Sequence, residues 1–139
     1  MTTQDQAKLL EQVVTEIRAT VPGVLAIYRF GTWGRGDERA ESDIDLAILP
    51  VQSLAATTRW QLAQHLAAVA NRDVDLVDLR SASTVMAAQV IANGVRLFCS
   101  DENACAEFED FVYASYARLN EERRAILSDI QTRGSVYGG

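Results

Sequence analysis

Leu10, Val13, Val14, Ile17 and Val21 recur at spacings that place them on one stripe of a helix. The pattern predicts an amphipathic helix over 4–20, with Thr3 and Gln6 set as a capping box and Pro22 and Gly23 as its stop. Residues 24–30 are mostly apolar and rich in strand formers, and predict a strand that delivers the chain to Gly31. A second strand is expected over 43–49, stopped by Pro50, and the polar stretch 34–42 with its two glycines reads as a loop suited to wrapping a ligand. Leu62, Leu66 and Val69 line one side of a helix from about 55 to 70, after which 73–79 repeats the acid and aliphatic alternation of the second strand. Val85, Met86, Val90 and Ile91 mark a short third helix closed by Asn93 and Gly94, and 96–99 is a candidate edge strand.

From residue 101 to about 132, Cys105, Phe108, Val112, Tyr116, Leu119, Arg123, Ile126 and Ile130 keep helical spacing. An unbroken helix of that length is a rod of roughly 45 Å, longer than a small α/β body. Either it folds across the sheet or breaks in two, or its distal apolar face docks a partner chain. After Arg133 the periodicity stops, so the expected organisation is one domain over 1–132 and a flexible tail over 133–139.

At 139 residues the chain has the length of one domain, with no room for a catalytic domain plus a large substrate domain. Its net charge of −6, from 13 basic and 19 acidic residues with no basic stripe, argues against gripping a nucleic-acid backbone directly. An acidic chain suits a basic protein partner or a small substrate carried with Mg²⁺. The N-terminal stretch lacks the basic and apolar segments of a signal peptide, and no apolar run approaches a membrane span. Cys99 and Cys105 have neither metal-ligand nor redox spacing and read as reduced, packed thiols. The expected location is the cytoplasm, away from membranes.

Residues 31–46 bring in chemistry: Gly31 and Thr32, ten residues, then Asp43 and Asp45. A glycine lets the backbone approach a bulky anion, and Thr32 offers a hydroxyl and an amide to phosphate oxygens. Side chains at i and i+2 of a strand share a face, so Asp43 and Asp45 point the same way. Two such carboxylates fit Mg²⁺, which is bound by one or two carboxylates together with substrate phosphates. A phosphoryl or nucleotidyl transfer site commonly needs a further carboxylate, and the third strand offers Asp73, Asp75 and Asp78. Parity puts Asp73 and Asp75 on one face and Asp78 on the other. Asp75, between Val74 and Leu76 inside the strand, is better fixed than Asp73 at its mouth. His65, alone among leucines on a helix, reads as structural, and Trp60, Phe108, Phe111 and Tyr116 as packing or partner contacts.

On these residues the sequence resembles the minimal nucleotidyltransferases, the small single-domain branch of the DNA polymerase β superfamily. Their pattern is Gly-Ser, ten residues, Asp-x-Asp, and a later acidic residue, often within Val-Asp-Leu-Val. Gly31, Thr32, Asp43, Asp45 and the run Val74, Asp75, Leu76, Val77 fill those places, with Arg35, Gly36 and Ser42 matching the loop between them. Thr32 departs from the usual serine, keeping the hydroxyl but stiffening χ1. The resemblance implies a polymerase-β-like α/β fold, a small mixed sheet of three to four strands flanked by helices. It further implies that Asp43, Asp45 and Asp75 are catalytic and hold two Mg²⁺, and that Gly31 and Thr32 hold the ATP phosphates, with Arg35 a candidate contact for the triphosphate. The long final helix and the segment 74–83 are similar to the antitoxin members of this group, which are encoded beside HEPN-domain ribonuclease toxins. That similarity implies transfer of AMP from ATP to a tyrosine of the toxin, which silences it. Two other readings are transfer to a small molecule or an RNA end, and a non-catalytic antitoxin that masks its partner by binding.

Overall fold

In the computed structural model, residues 3–31 and 43–137 are described, with side chains described as far as 132. The elements follow the order α1 (Thr3–Thr20), β1 (Ala26–Phe30), β2 (Ile44–Leu49), α2 (Ala56–Ala70), β3 (Val74–Asp78), α3 (Thr84–Asn93), β4 (Val95–Cys99) and α4 (Glu102–Tyr137). The sheet runs β3-β2-β1-β4; β1 is antiparallel to both β2 and β4, and β2 is parallel to β3. This is the small mixed sheet that was expected, with β4 on one edge. No helix of the described residues is long and apolar enough to cross a membrane.

Two apolar layers sandwich the sheet. On one face Val13 and Ile17 of α1 and Leu62 and Leu66 of α2 pack against Ile27, Ile44, Leu46 and Leu76. On the other, Val90 of α3 and Cys105 and Val112 of α4 pack against Ala26, Tyr28, Ala47 and Leu49. Covered on both sides, β2 reads as a nearly continuous apolar run broken only by Asp45.

Local chemistry explains the boundaries. Ser83 caps α3 by accepting the Met86 amide at 3.1 Å, and Asp101 caps α4 by accepting those of Asn103 and Ala104, each at 3.1 Å. Asn71 closes α2 in the left-handed region, at φ 54°. Gly94 closes α3 as anticipated, but with an extended backbone: it is needed for space, because a Cβ there would lie 2.5 Å from the Val90 carbonyl oxygen and 2.9 Å from that of Arg29. α1 begins at Thr3, which is also the first described residue.

The last helix differs most from expectation. It is a single helix that neither folds back nor breaks, and it continues to Tyr137, so 133–137 carry helical backbone where a loose tail was expected. Its first half is packed, while from Glu121 to Thr132 every side chain is exposed.

Candidate active site

The antiparallel pairing of β1 with β2 sets Phe30 opposite Asp45, and the parallel pairing of β2 with β3 sets Asp75 beside Asp45. Asp45 and Asp75 are therefore neighbours on the α3 and α4 side of the sheet, at the end where β1 finishes. Asp43 precedes β2 by one residue and is exposed, as is Asp75, whereas Asp45 is half-buried. Ile44 donates its amide to the Asp73 carbonyl at 2.9 Å, so Asp73 stands one step further out, at the strand's mouth.

The neighbouring carboxylates act on Asp45. Burial holds the Asp45 carboxyl above the usual carboxylate range, and the charges of Asp75 and then Asp43 push it further the same way. Such a site is unfavourable when empty and ionised, and a cation relieves it. Among the described residues no three or more histidine, cysteine, aspartate or glutamate side chains are grouped so that they could hold a metal ion by themselves. Two carboxylates side by side, Asp45 and Asp75, suit a cation such as Mg²⁺ that takes the rest of its shell from phosphates and water.

Gly31 completes the described part. It follows β1 at φ 74°, in the region that penalises side chains, and a Cβ there would collide with Asp45 Oδ2. The glycine thus leaves the Asp45 carboxylate its place at the strand end. Thr32 and Arg35, with Gly36 and Ser42, lie outside the described residues.

The third strand's last acid does other work. Asp78 is buried, with Oδ2 accepting the Leu54 amide at 2.8 Å and the Ser81 hydroxyl at 3.3 Å, and Oδ1 accepting the Arg80 amide at 2.9 Å. It ties the approach to α2 to the turn after β3. His65 pairs through Nε2 with Glu16 at 2.8 Å on the surface, joining α2 to α1, in keeping with a structural role. Phe108 and Tyr116 pack against the core, while Trp60 and Phe111 stay exposed.

Two contacts had no sequence signal. The buried Tyr28 phenol donates to Glu109 at 2.7 Å, fastening β1 to α4, and burial followed by this carboxylate raises its pKa above the ordinary value. Cys99 and Cys105 are free thiols with Sγ atoms 3.1 Å apart, brought together by the reversal from β4 into α4.

Residues 12–103 match the family model described as polymerase beta, nucleotidyltransferase. The chain is 39% identical over 119 residues to the protein adenylyltransferase MntA of Shewanella oneidensis strain MR-1, an alignment covering 86% of this chain and 85% of that protein. It superposes on a crystal structure of a toxin–antitoxin with AMP-PNP at a TM-score of 0.77 and 38% identity, covering 87% of this chain and 97% of that one. It also superposes, at 0.77 and 36% identity over 91% of this chain and 98% of the other, on a structure of the tri-AMPylated Shewanella oneidensis HEPN toxin in complex with MNT antitoxin.

Proposed function

The chain belongs to the polymerase β nucleotidyltransferase family, and from that premise we propose that it is an antitoxin that transfers AMP from ATP to a tyrosine hydroxyl of a cognate HEPN ribonuclease toxin and so neutralises it. The observation that carries this reading is the register of Asp45 with Asp75 beside Gly31, in a chain similar along most of its length to a protein adenylyltransferase. The reaction consumes ATP, which assigns it to the cytoplasm.

Asp43, Asp45 and Asp75 would hold two Mg²⁺. When bound, Mg²⁺ neutralises the triphosphate and makes the α-phosphorus and the acceptor hydroxyl more reactive. Gly31, lacking a side chain, gives the phosphates access to the backbone, and Thr32 adds its hydroxyl and amide. Arg35 contributes positive charge toward the β and γ phosphates. A tyrosine phenol, with a pKa near 10, stays protonated at neutral pH. Asp75, exposed and facing the same side as Asp45, accepts that proton and passes it to water. The phenolic oxygen forms a bond to the α-phosphorus as the bond to the β-phosphate oxygen breaks, and pyrophosphate leaves.

The test incubates the chain with ATP labelled on the α-phosphate, Mg²⁺, the HEPN toxin and RNA together. Label on the toxin is expected. Label that reaches RNA or a small molecule and never the toxin would overturn the assignment. Complete neutralisation by an Asp43→Asn, Asp45→Asn variant would instead favour masking by binding alone.

A further inference from the structure

We propose that the outer half of α4 is a docking arm for the protein that carries the acceptor tyrosine, with Ile126, Leu127 and Ile130 as its contact face. This rests on the function proposed above and names where that substrate is held.

The direction of α4 comes from its contacts with the sheet. Cys105 Sγ lies 3.4 Å from the carbonyl oxygen of Leu25, before β1, while Glu109, one turn later, meets Tyr28 in the middle of β1. The helix therefore advances along β1 toward Gly31 and the Asp45–Asp75 end of the sheet. Leu119 and Asn120 are its last half-buried residues, and the exposed half continues from there. The stretch from Glu121 to Thr132, in which every side chain is exposed, spans about 18 Å, and the helical backbone continues to Tyr137.

The arm carries an unfinished apolar stripe. Cys105, Phe108, Val112, Tyr116 and Leu119 follow helical spacing on the packed side. Ile126 and Ile130 extend the same stripe, flanked by Leu127. These three side chains are 59%, 58% and 56% exposed for Ile126, Leu127 and Ile130 respectively. In water an isolated helix gains most of its stability by packing such a stripe, so the arm is built to be covered.

The extent of the stripe argues for its occupant. A self-standing pair of helices needs an apolar seam sustained over about three to four heptads, and among the described side chains the arm offers less than two turns of apolar residues beyond the body. Through Ile126, Leu127 and Ile130 alone a second copy would bury little. Glu121 and Glu122 are followed directly by Arg123 and Arg124, so acid balances base and there is no excess of positive charge for an anionic lipid surface. A protein substrate is different: it brings its own apolar groove, and its affinity is shared between the arm and the nucleotide-charged site. That division suits a transferase that must release its product.

The test uses the full chain and the HEPN toxin. An Ile126→Glu, Ile130→Glu variant should raise KM for the toxin about tenfold or more, the scale of losing a buried apolar anchor, while kcat at saturating toxin and ATP affinity stay within about twofold of wild type. Ser128→Glu, on the opposite side of the arm, should leave KM unchanged, and Leu127→Ala should raise it by a smaller factor. Circular dichroism checks that the helix is retained. An unchanged KM in the double variant overturns the proposal, as does sedimentation showing a wild-type homodimer that the double variant splits. If the wild type transfers no AMP to the toxin, the functional reading fails, and calorimetric titration scores the arm alone. Weaker toxin binding by the double variant then supports docking, and equal binding overturns it.

Discussion

Gly31→Ala separates the geometry of the site from ordinary backbone strain. Gly31 sits at φ 74° and Gly23 at φ 77°, so alanine pays a similar left-handed penalty at either position, about 1–2 kcal/mol. For a domain of this size that is a fall in Tm of roughly 3–8 °C. The surroundings differ. At Gly23 the new Cβ would be 3.3 Å from Val51 Cγ2, the end of an exposed side chain that can give way. At Gly31 it would collide with Asp45 Oδ2, and the carboxylate must swing off its position beside Asp75. A displacement of about 1 Å at a reacting centre costs on the order of 10²-fold in rate. Steady-state AMP transfer to the toxin and thermal melts should show both variants losing similar stability, with only Gly31→Ala losing about a hundredfold in kcat. A Gly31→Ala enzyme within a fewfold of wild type, or a Gly23→Ala enzyme equally impaired, would refute the placement of Asp45 by Gly31.

Asp45 is held with a raised pKa, so without cations its contribution to stability is present below the ordinary carboxylate range and is lost as pH rises through its folded pKa. Asp45→Asn should therefore melt higher than the wild type at neutral pH in the presence of chelator, the gap closing on acidification, as calorimetry across pH 4–7 would read; a variant less stable at neutral pH would contradict the crowding of charge. Asp78→Ala strips the acceptors from the amides of Leu54 and Arg80 and should cost about 2–4 kcal/mol in denaturant titrations with kcat at low temperature unchanged. Burial, with the nearby Cys99, pushes the Cys105 thiol up to about 12, so iodoacetamide at pH 8 should label the native chain once, at Cys99, and twice only after unfolding; two labels on the native chain would show Cys105 to be accessible and ionised.

The features legible in the sequence were those encoded locally. The period of Leu10, Val13, Val14 and Ile17, the cap residues and the Pro50 stop fixed most elements to within a residue or two. The spacing from Gly31 to Asp45 and the setting of Asp75 marked the carboxylates that the sheet then places side by side. What was not legible depends on distant pairing. Strand parity could not say that Asp75, rather than Asp73, is the register partner of Asp45, because this requires knowing that β2 and β3 are parallel neighbours. Tyr28 and Glu109 are 81 positions apart, and nothing local links a strand tyrosine to one glutamate among many on a long helix. Cys99 and Cys105 meet only because the chain reverses between them. Asp78 repeats the acid and aliphatic alternation of its strand, yet its role is set by backbone amides arriving from two other segments. The end of α4 is not legible either, because apolar periodicity stops after Arg133 while an exposed helix needs no such period to continue to Tyr137.

The central claim is that Asp43, Asp45 and Asp75 act together to place AMP on a partner's tyrosine. The intact mass of the HEPN toxin, recorded after incubation with ATP, Mg²⁺ and this chain and followed by peptide mapping, tests it most directly. The prediction is a mass gain of whole AMP units located on tyrosine, absent with Asp45→Asn, absent with Asp75→Asn and absent when Mg²⁺ is chelated. A toxin that is neutralised while its mass stays unchanged, or that gains AMP equally with Asp75→Asn, would contradict it.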